Sequence, residues 1–404
     1  MTIITETSFS HFTATPLCGG AFIILSSYME DRDQQLRVYL VDIVTKDTTP
    51  ELLEDRIKEL ESLVETYGGV VILKKFQKKD QPDYKTYVGK GKLEEIIADM
   101  QRLDANLLIV GNVLKPSQIY NLNEALRPIG AKARDRVDLI LKIFDKHATS
   151  MESRLQVELA AIRHMGPRIF GMGMELSRQG GSSGSGGGAT RGIGETNTER
   201  MKRHLKVQIL KIEKELKEYE RMRKLHRDSR IRKGMPTVGI VGYTNTGKSS
   251  LLNVMTKKGI LAENKLFATL GTHVGKVYIF KNKETGEGME VLLNDTIGFI
   301  RDLPPKLVKS FSSTLEDSIE SELLLHVIDA SDSFIDERIS IVNHILDEIG
   351  AKQKRIMVFN KIDLLDNTQL AELKKHFPDK GNVRVSVKDG VNLEEIKTAI
   401  IENL

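Results

Sequence analysis

The sequence predicts an α/β protein in which two α/β domains are separated by an antiparallel helical hairpin. Three patterns carry this reading. Strand-like and helix-like runs alternate from about residue 36 to 145; the periodicity is purely helical from Ala148 to Ile162 and again from about Thr198 to Ser229; and the alternation resumes from Pro236. Strands alternating with helices imply parallel crossovers, and two helices with apolar seams bury them against each other. The expected organisation is a tail over residues 1–35, an N-terminal α/β domain over 36–147, a coiled-coil arm with a glycine-rich tip over 148–232, and a second α/β domain over 233–404.

In the first domain, Val38-Tyr39-Leu40-Val41-Asp42-Ile43-Val44 is an apolar run of strand type. Leu53, Ile57, Leu60 and Val64 then recur at helical spacing, and Gly68-Gly69 closes the helix. Val70-Val71-Ile72-Leu73 is the next strand, followed by a helix from Leu93 to Met100, the strand Leu107-Leu108-Ile109-Val110, and a helix ending before Pro128. In the arm, Leu155, Leu159 and Ile162 share one stripe. Leu205, Ile209, Ile212, Leu216 and Tyr219 step by 4, 3, 4 and 3 residues, the seam of a short coiled coil. Between the two helices, Gly166 to Asn197 includes eight glycines from Gly180 to Gly194 and reads as an unstructured tip. Such a tip is either a spacer or a functional element. The second domain contributes the strands Val238–Val241, Val291–Asn294, Leu323–Ile328 and Ile356–Phe359.

A chain of 404 residues that is 40% hydrophobic and 29% charged can bury several cores, and its profile excludes a disordered protein. The net charge of +4 points only weakly to a polyanionic partner. The single cysteine, Cys18, forms neither an internal disulfide nor a metal cluster, which fits a reducing cytoplasm. The apolar stretch from Leu17 to Met29 is too short to span a bilayer, and no Lys or Arg precedes it as in a secretory signal. The expectation is a loose tail on a cytoplasmic protein with no membrane insertion.

The chemistry lies in the second domain. Gly242-Tyr243-Thr244-Asn245-Thr246-Gly247-Lys248-Ser249 follows a strand and opens a helix, the context that the phosphate-cradling G-x-x-x-x-G-K-[ST] loop requires. Lys248 is placed to neutralise the β- and γ-phosphates and Ser249 to ligate Mg²⁺, with Asn245, Thr246, Gly247 and Ser250 as further nucleotide contacts. Asp295-Thr296-Ile297-Gly298 follows the next strand; Asp295 reaches the metal through water and the Gly298 N–H senses the γ-phosphate. Asn360-Lys361-Ile362-Asp363 ends a further strand, and the Asp363 carboxylate accepts from the ring N–H and exocyclic amine of guanine, a pairing adenine cannot offer. Ser386-Val387-Lys388 adds backbone contact to the guanine oxygen. Four such elements in order, each at the carboxyl end of a strand, predict a GTP-hydrolysing domain. Thr269, in Phe267-Ala268-Thr269-Leu270, is the expected second Mg²⁺ hydroxyl, with Phe267 beside it at the nucleotide. Phe299 stands where many GTPases place a water-orienting glutamine, so intrinsic hydrolysis is expected to be slow, with Lys248, Thr269 and Gly298 as the catalytic set.

Beyond these motifs, Tyr87-Val88-Gly89-Lys90-Gly91-Lys92, Leu155-Gln156-Val157-Glu158-Leu159, Arg191-Gly192-Ile193-Gly194-Glu195-Thr196, Phe267-Ala268-Thr269-Leu270 and Asp295-Thr296-Ile297-Gly298-Phe299-Ile300-Arg301 together resemble the HflX family of translational GTPases over nearly the whole chain. The resemblance implies an N-terminal α/β domain with a helical-hairpin arm, then the P-loop GTPase domain. It also implies a monomer that binds the large ribosomal subunit and its rRNA, splits stalled ribosomes and hydrolyses GTP to leave. A GTP-regulated large-subunit factor for assembly or hibernation is the alternative. In some related GTPases an asparagine at the position of Asn245 ligates K⁺. The family's tip reaches towards the peptidyl transferase centre, which carries over to Arg178 and Arg191 as rRNA contacts. Three departures stand out: Gly271-Thr272-His273 replaces Asp-Pro-Thr, Ile193 replaces a proline, and the chain stops soon after the last nucleotide motif, where many members carry a further domain.

Overall fold

The computed structural model describes residues 35–404 apart from 47, 180–187, 233, 257–265, 268–272, 283, 297, 304–306, 308–319 and 379–380. The tail, the centre of the glycine-rich tip and Thr269 therefore lie outside the described residues, and Arg178 and Arg191 are described only as positions on helices.

The N-terminal domain is a parallel four-stranded sheet of β1 (Leu36–Val44), β2 (Gly69–Lys78), β3 (Leu107–Val110) and β4 (Lys132–Asp135), in the order β2-β1-β3-β4. Both faces of β1 are buried, Val38 and Leu40 on one side and Tyr39 and Val41 on the other, which is why the strand reads as a continuous apolar run. Its helices are α1 (Pro50–Tyr67), α2 (Lys90–Arg102), α3 (Pro116–Leu126) and α4 (Arg136–His147). Thr49 caps α1 by accepting from the Leu52 amide at 3.2 Å, and Gly68, at φ 102°, ends it.

β4 and α4 have no counterpart of their own in the sequence reading. Arg134, Asp135, Arg136, Asp138 and Lys142 make the stretch look exposed, yet all five are buried.

The arm consists of α5 (Met151–Gln179) and α6 (Gly188–Arg232). Leu155, Leu159 and Ile162 of α5 pack on Leu205 and Ile212 of α6, with Ile209, Leu216 and Tyr219 alongside. Arg163 pairs with Glu213 at 2.7 Å and Glu152 with Arg223, so the helices run antiparallel. The unstructured tip expected over Gly166–Asn197 is corrected. Helix continues through Gly166 and Pro167 as far as Gln179 and begins again at Gly188. Each glycine weakens a helix by only about 1 kcal/mol relative to alanine, which a helix already nucleated on a packed seam can absorb.

The C-terminal sheet comprises β5 (Thr237–Gly242), β6 (His273–Asn282), β7 (Glu287–Asp295), β8 (Leu323–Asp329), β9 (Lys354–Asn360) and β10 (Asn382–Arg384), in the order β10-β9-β8-β5-β7-β6. Its pairings are parallel except that of β6 with β7. The helices are α7 (Lys248–Thr256), α8 (Ile335–Glu348), α9 (Asn367–His376) and α10 (Leu393–Asn403). One apolar core runs without interruption from Val38, Leu63, Ile140 and Phe144 to Tyr243, Phe267, Phe299, Ile300 and Val342, so the two α/β domains are fused through a shared interior.

Candidate functional site

The phosphate loop leaves the carboxyl end of β5 and enters α7. Gly242, at φ 153°, has its missing Cβ replaced in space by the Val327 carbonyl oxygen, 2.2 Å away, so no side chain fits there. Lys248 is buried, and its ammonium donates to the Tyr243 carbonyl at 2.7 Å. Burial pulls its pKa down to about 8, against the raising effect of Asp295. A phosphate anion is the group that would restore the charged form.

Ser249 donates to Asp295 Oδ2 at 2.6 Å, while Asp295 Oδ1 is buried and has no hydrogen-bond partner. Burial raises the Asp295 pKa, opposed chiefly by Lys248. A hydroxyl beside a carboxylate with an unspent, buried oxygen is the donor set that a hard divalent cation takes, so these residues fit Mg²⁺. Thr296 anchors the segment by donating to the Ile240 carbonyl at 2.8 Å. At Gly298 a Cβ would stand 2.9 Å from both Lys248 Nζ and Thr244 Cγ2, so glycine alone keeps this backbone close to the lysine.

The residues expected to read guanine lie at the ends of β9 and β10. Asn360 donates to the Thr246 carbonyl at 2.8 Å and accepts from the Val387 amide at 3.0 Å, which ties the phosphate loop to the 386–388 loop. Lys361, at φ 66°, pairs with Asp329 at 2.6 Å. The exposed Asp363 accepts from the buried Ser386 hydroxyl at 2.7 Å, which fixes the carboxylate without consuming it. Lys388 and Asn245 are exposed, and Asn245 holds a φ of 61°.

One side chain expected at the nucleotide faces elsewhere. The Phe267 ring meets Phe144 of α4 edge-on, with centroids 4.6 Å apart, so its side chain belongs to the N-terminal domain rather than to the nucleotide. Phe299 is buried in the shared core; its amide donates to Gly242 O at 3.1 Å and its carbonyl accepts from Thr244 N at 2.7 Å.

A network absent from the sequence reading surrounds them. The buried Tyr243 hydroxyl donates to Glu59 of α1 and accepts from the Arg301 amide at 2.7 Å and Arg338 at 2.8 Å. Burial, with the Glu59 charge, holds this phenol far above its ordinary pKa. Arg301 and Arg338 also pair with Asp55 at 2.6 and 2.7 Å, Arg136 pairs with Glu59, and the Leu266 amide donates to Thr66 at 3.1 Å. The only sequence signal was a tyrosine at the second loop position, and its partners lie far away along the chain. A further cluster of Asp135, Asp138 and His164 has ligand-like spacing, but the Arg168 guanidinium already bridges both carboxylates, so it is an ion-pair lock between α4 and the arm.

Among the described residues no helix is long and apolar enough to cross a membrane. Residues 54–145 match a family model described as the N-terminal region of a GTP-binding GTPase, 147–230 one described as the middle region of a GTP-binding GTPase, and 237–361 one described as a 50S ribosome-binding GTPase. The chain is 42% identical over 374 residues to GTPase HflX of Caldanaerobacter subterraneus, covering 92% of this chain and 81% of that one. It is 39% identical to GTPase HflX of Lacrimispora saccharolytica, with 92% and 84% covered, and 36% identical to that of Escherichia coli, with 87% and 79% covered. The phosphate loop on this scaffold, the three family matches and relatives of that identity along most of both chains place the protein in the HflX family of GTPases, and it is a GTP hydrolase.

Proposed function

We propose that this GTPase binds the large ribosomal subunit through its arm, separates stalled ribosomes into subunits in the cytoplasm, and leaves when GTP is hydrolysed. Lys248 would hold the β- and γ-phosphates, Ser249 and Thr269 would hold Mg²⁺ with the Asp295 carboxylate beside them, and the Gly298 N–H would read the γ-phosphate. Asn360, Lys361, Asp363 and the 386–388 loop hold guanine, and Asn245 offers its amide oxygen to K⁺. Phe299 has no group to orient water, so ribosomal particles must supply the stimulus for turnover.

The observation that carries the ribosomal reading is the charge and reach of α6. Residues 200–233 contain 14 Lys or Arg against 5 Asp or Glu. At about 1.5 Å per residue, its 45 residues extend on the order of 65 Å, enough to present positive charge deep within folded RNA. Arg178 and Arg191, flanking the tip, are the assigned rRNA contacts. The match of residues 237–361 to a family of 50S ribosome-binding GTPases supports the same partner.

Intact ribosomes incubated with the protein and a non-hydrolysable GTP analogue, then resolved on a sucrose gradient, should appear as separated subunits with the protein on the large one. Intact particles carrying the protein would mean binding without splitting. Intact particles without it would remove the ribosome from the reading.

A further inference from the structure

Phe299 stands opposite Tyr243 in an isolated parallel bridge that joins the segment after Asp295 to the phosphate loop. Two main-chain hydrogen bonds make it: the Phe299 amide donates to the Gly242 carbonyl at 3.1 Å, and the Thr244 amide donates to the Phe299 carbonyl at 2.7 Å. Gly298 immediately precedes the bridge. A Cβ there would stand 2.9 Å from Lys248 Nζ, so its backbone lies against the cation assigned to the γ-phosphate. With a single rung, the bridge depends on what holds the chain beyond it. There the Arg301 amide donates to the Tyr243 hydroxyl at 2.7 Å, so a side chain continues the pairing where the two main chains part.

That hydroxyl has no freedom left. It donates to Glu59 and accepts from the Arg301 amide and from Arg338 Nη1 at 2.8 Å, which uses its one proton and both lone pairs. The Arg301 side chain is fixed from the same helix, since its Nη2 pairs with Asp55 at 2.6 Å, and Asp55 lies one turn of α1 before Glu59. Arg301 is therefore gripped twice, at its amide by the phosphate loop and at its side chain by the N-terminal domain. The G-x-x-x-x-G-K-[ST] pattern leaves its second position open, so phosphate binding itself does not require a tyrosine at 243.

We propose that Tyr243 and Asp55 are positioning residues for GTP hydrolysis: through the amide and side chain of Arg301 they hold the Gly298 N–H where it meets the γ-phosphate. This rests on the reading of Gly298 as a γ-phosphate contact. A donor aimed in advance at the transferring phosphoryl group needs no reorganisation during the reaction, and a small displacement forfeits much of its effect. GDP has no γ-phosphate, so its binding does not register that displacement.

The test uses the full chain with Mg²⁺, at a temperature well below the melting point of every variant. Affinities for GDP and for a non-hydrolysable GTP analogue are measured calorimetrically, and GTP hydrolysis is followed in single turnover. Tyr243→Phe should leave GDP affinity within about twofold, weaken the analogue about tenfold, and slow single-turnover hydrolysis by about tenfold or more. Asp55→Asn should move the ratio of the two affinities several-fold in the same direction, and it decides the question if Tyr243→Phe does not fold. Ile396→Ala, which opens a cavity in the separate core under α10, lowers the melting point but should keep the parent ratio, so general loosening is told apart from positioning. Gly298→Ala tests the underlying reading: a parent-like ratio there removes Gly298 from the γ-phosphate. A ratio lost in Gly298→Ala but unchanged, together with the rate, in Tyr243→Phe overturns the positioning role alone.

Discussion

Replacing Tyr243 with phenylalanine removes one oxygen and keeps the ring, including its stacking under the Arg338 guanidinium, 4.3 Å from the ring centroid. The hydroxyl joins Glu59, the Arg301 amide and Arg338, and its residue is 6% exposed. Without it the Arg301 amide loses its acceptor, while Glu59 and Arg338 retain each other at 3.3 Å. An orphaned buried amide costs about 1–3 kcal/mol and a lost hydrogen bond to a carboxylate a comparable amount, so about 3 kcal/mol is expected in all. For a unit of this size each kcal/mol moves the midpoint about 2–4 °C, giving a fall of about 6–12 °C by scanning calorimetry. GDP affinity should hold, because Lys248 uses the Tyr243 carbonyl, which the variant retains. Tyr278→Phe is the control: that hydroxyl is on an exposed residue and bonds only Gly286 O at 3.2 Å, so its loss should stay within about 0.5 kcal/mol. If both variants melt alike, the hydroxyl is no strut between the domains and the reasoning fails.

Three further outcomes follow from the site. Asp363→Asn should weaken GTP binding and favour xanthosine nucleotides, because an acceptor becomes a mixed donor and acceptor; unchanged GTP affinity would remove Asp363 from the guanine site. Lys248, lowered to about 8 when free, should be fully charged against phosphate, so GTP binding above pH 8 takes up a proton and below it does not. Calorimetry in buffers of different ionisation enthalpy measures this uptake, and its absence above pH 8 would contradict the assignment. At His164, burial lowers the pKa but the carboxylates of Asp135 and Asp138, 3.6 and 3.2 Å from Nε2, outweigh it and raise the folded value above 6.5, with Arg168 opposing. A raised folded pKa stabilises fully below 6.5 and loses that contribution as pH climbs through the folded value. Arm stability should therefore fall across that window, and His164→Gln should flatten the slope; an unaltered slope would exclude the histidine.

The strand-end positions of the candidate residues were legible because each is fixed by a short segment: the loop at Gly242–Ser249 and the carboxylates Asp295 and Asp363 need only their own strands to be placed. The arm seam was legible for a similar reason, since its period is local. The packing of the Phe267 ring is not legible locally, because its partner Phe144 lies in another domain. β4 and α4 were hidden because their charges are matched inside the protein: Arg168 reaches back to Asp135 and Asp138, and Arg136 reaches to Glu59. A buried charge looks like a surface charge until its partner is known.

The same long-range pairings bear on how nucleotide state is transmitted. The backbone at Leu266 is held by Thr66, the Phe267 ring by Phe144, and Arg301 by Asp55, so both segments that flank the nucleotide residues are gripped by the N-terminal domain. A rearrangement of either segment on exchange of GTP for GDP must break or re-form those contacts. Linkage is reciprocal: whatever free energy the nucleotide applies to the position of the N-terminal domain, displacement of that domain applies to nucleotide affinity. The arm grows directly from α4 and is bolted to it through His164 and Arg168. These pairs meet the domain at Asp135 and Asp138, and the neighbouring Arg136 pairs with Glu59, which the Tyr243 hydroxyl joins to the phosphate loop.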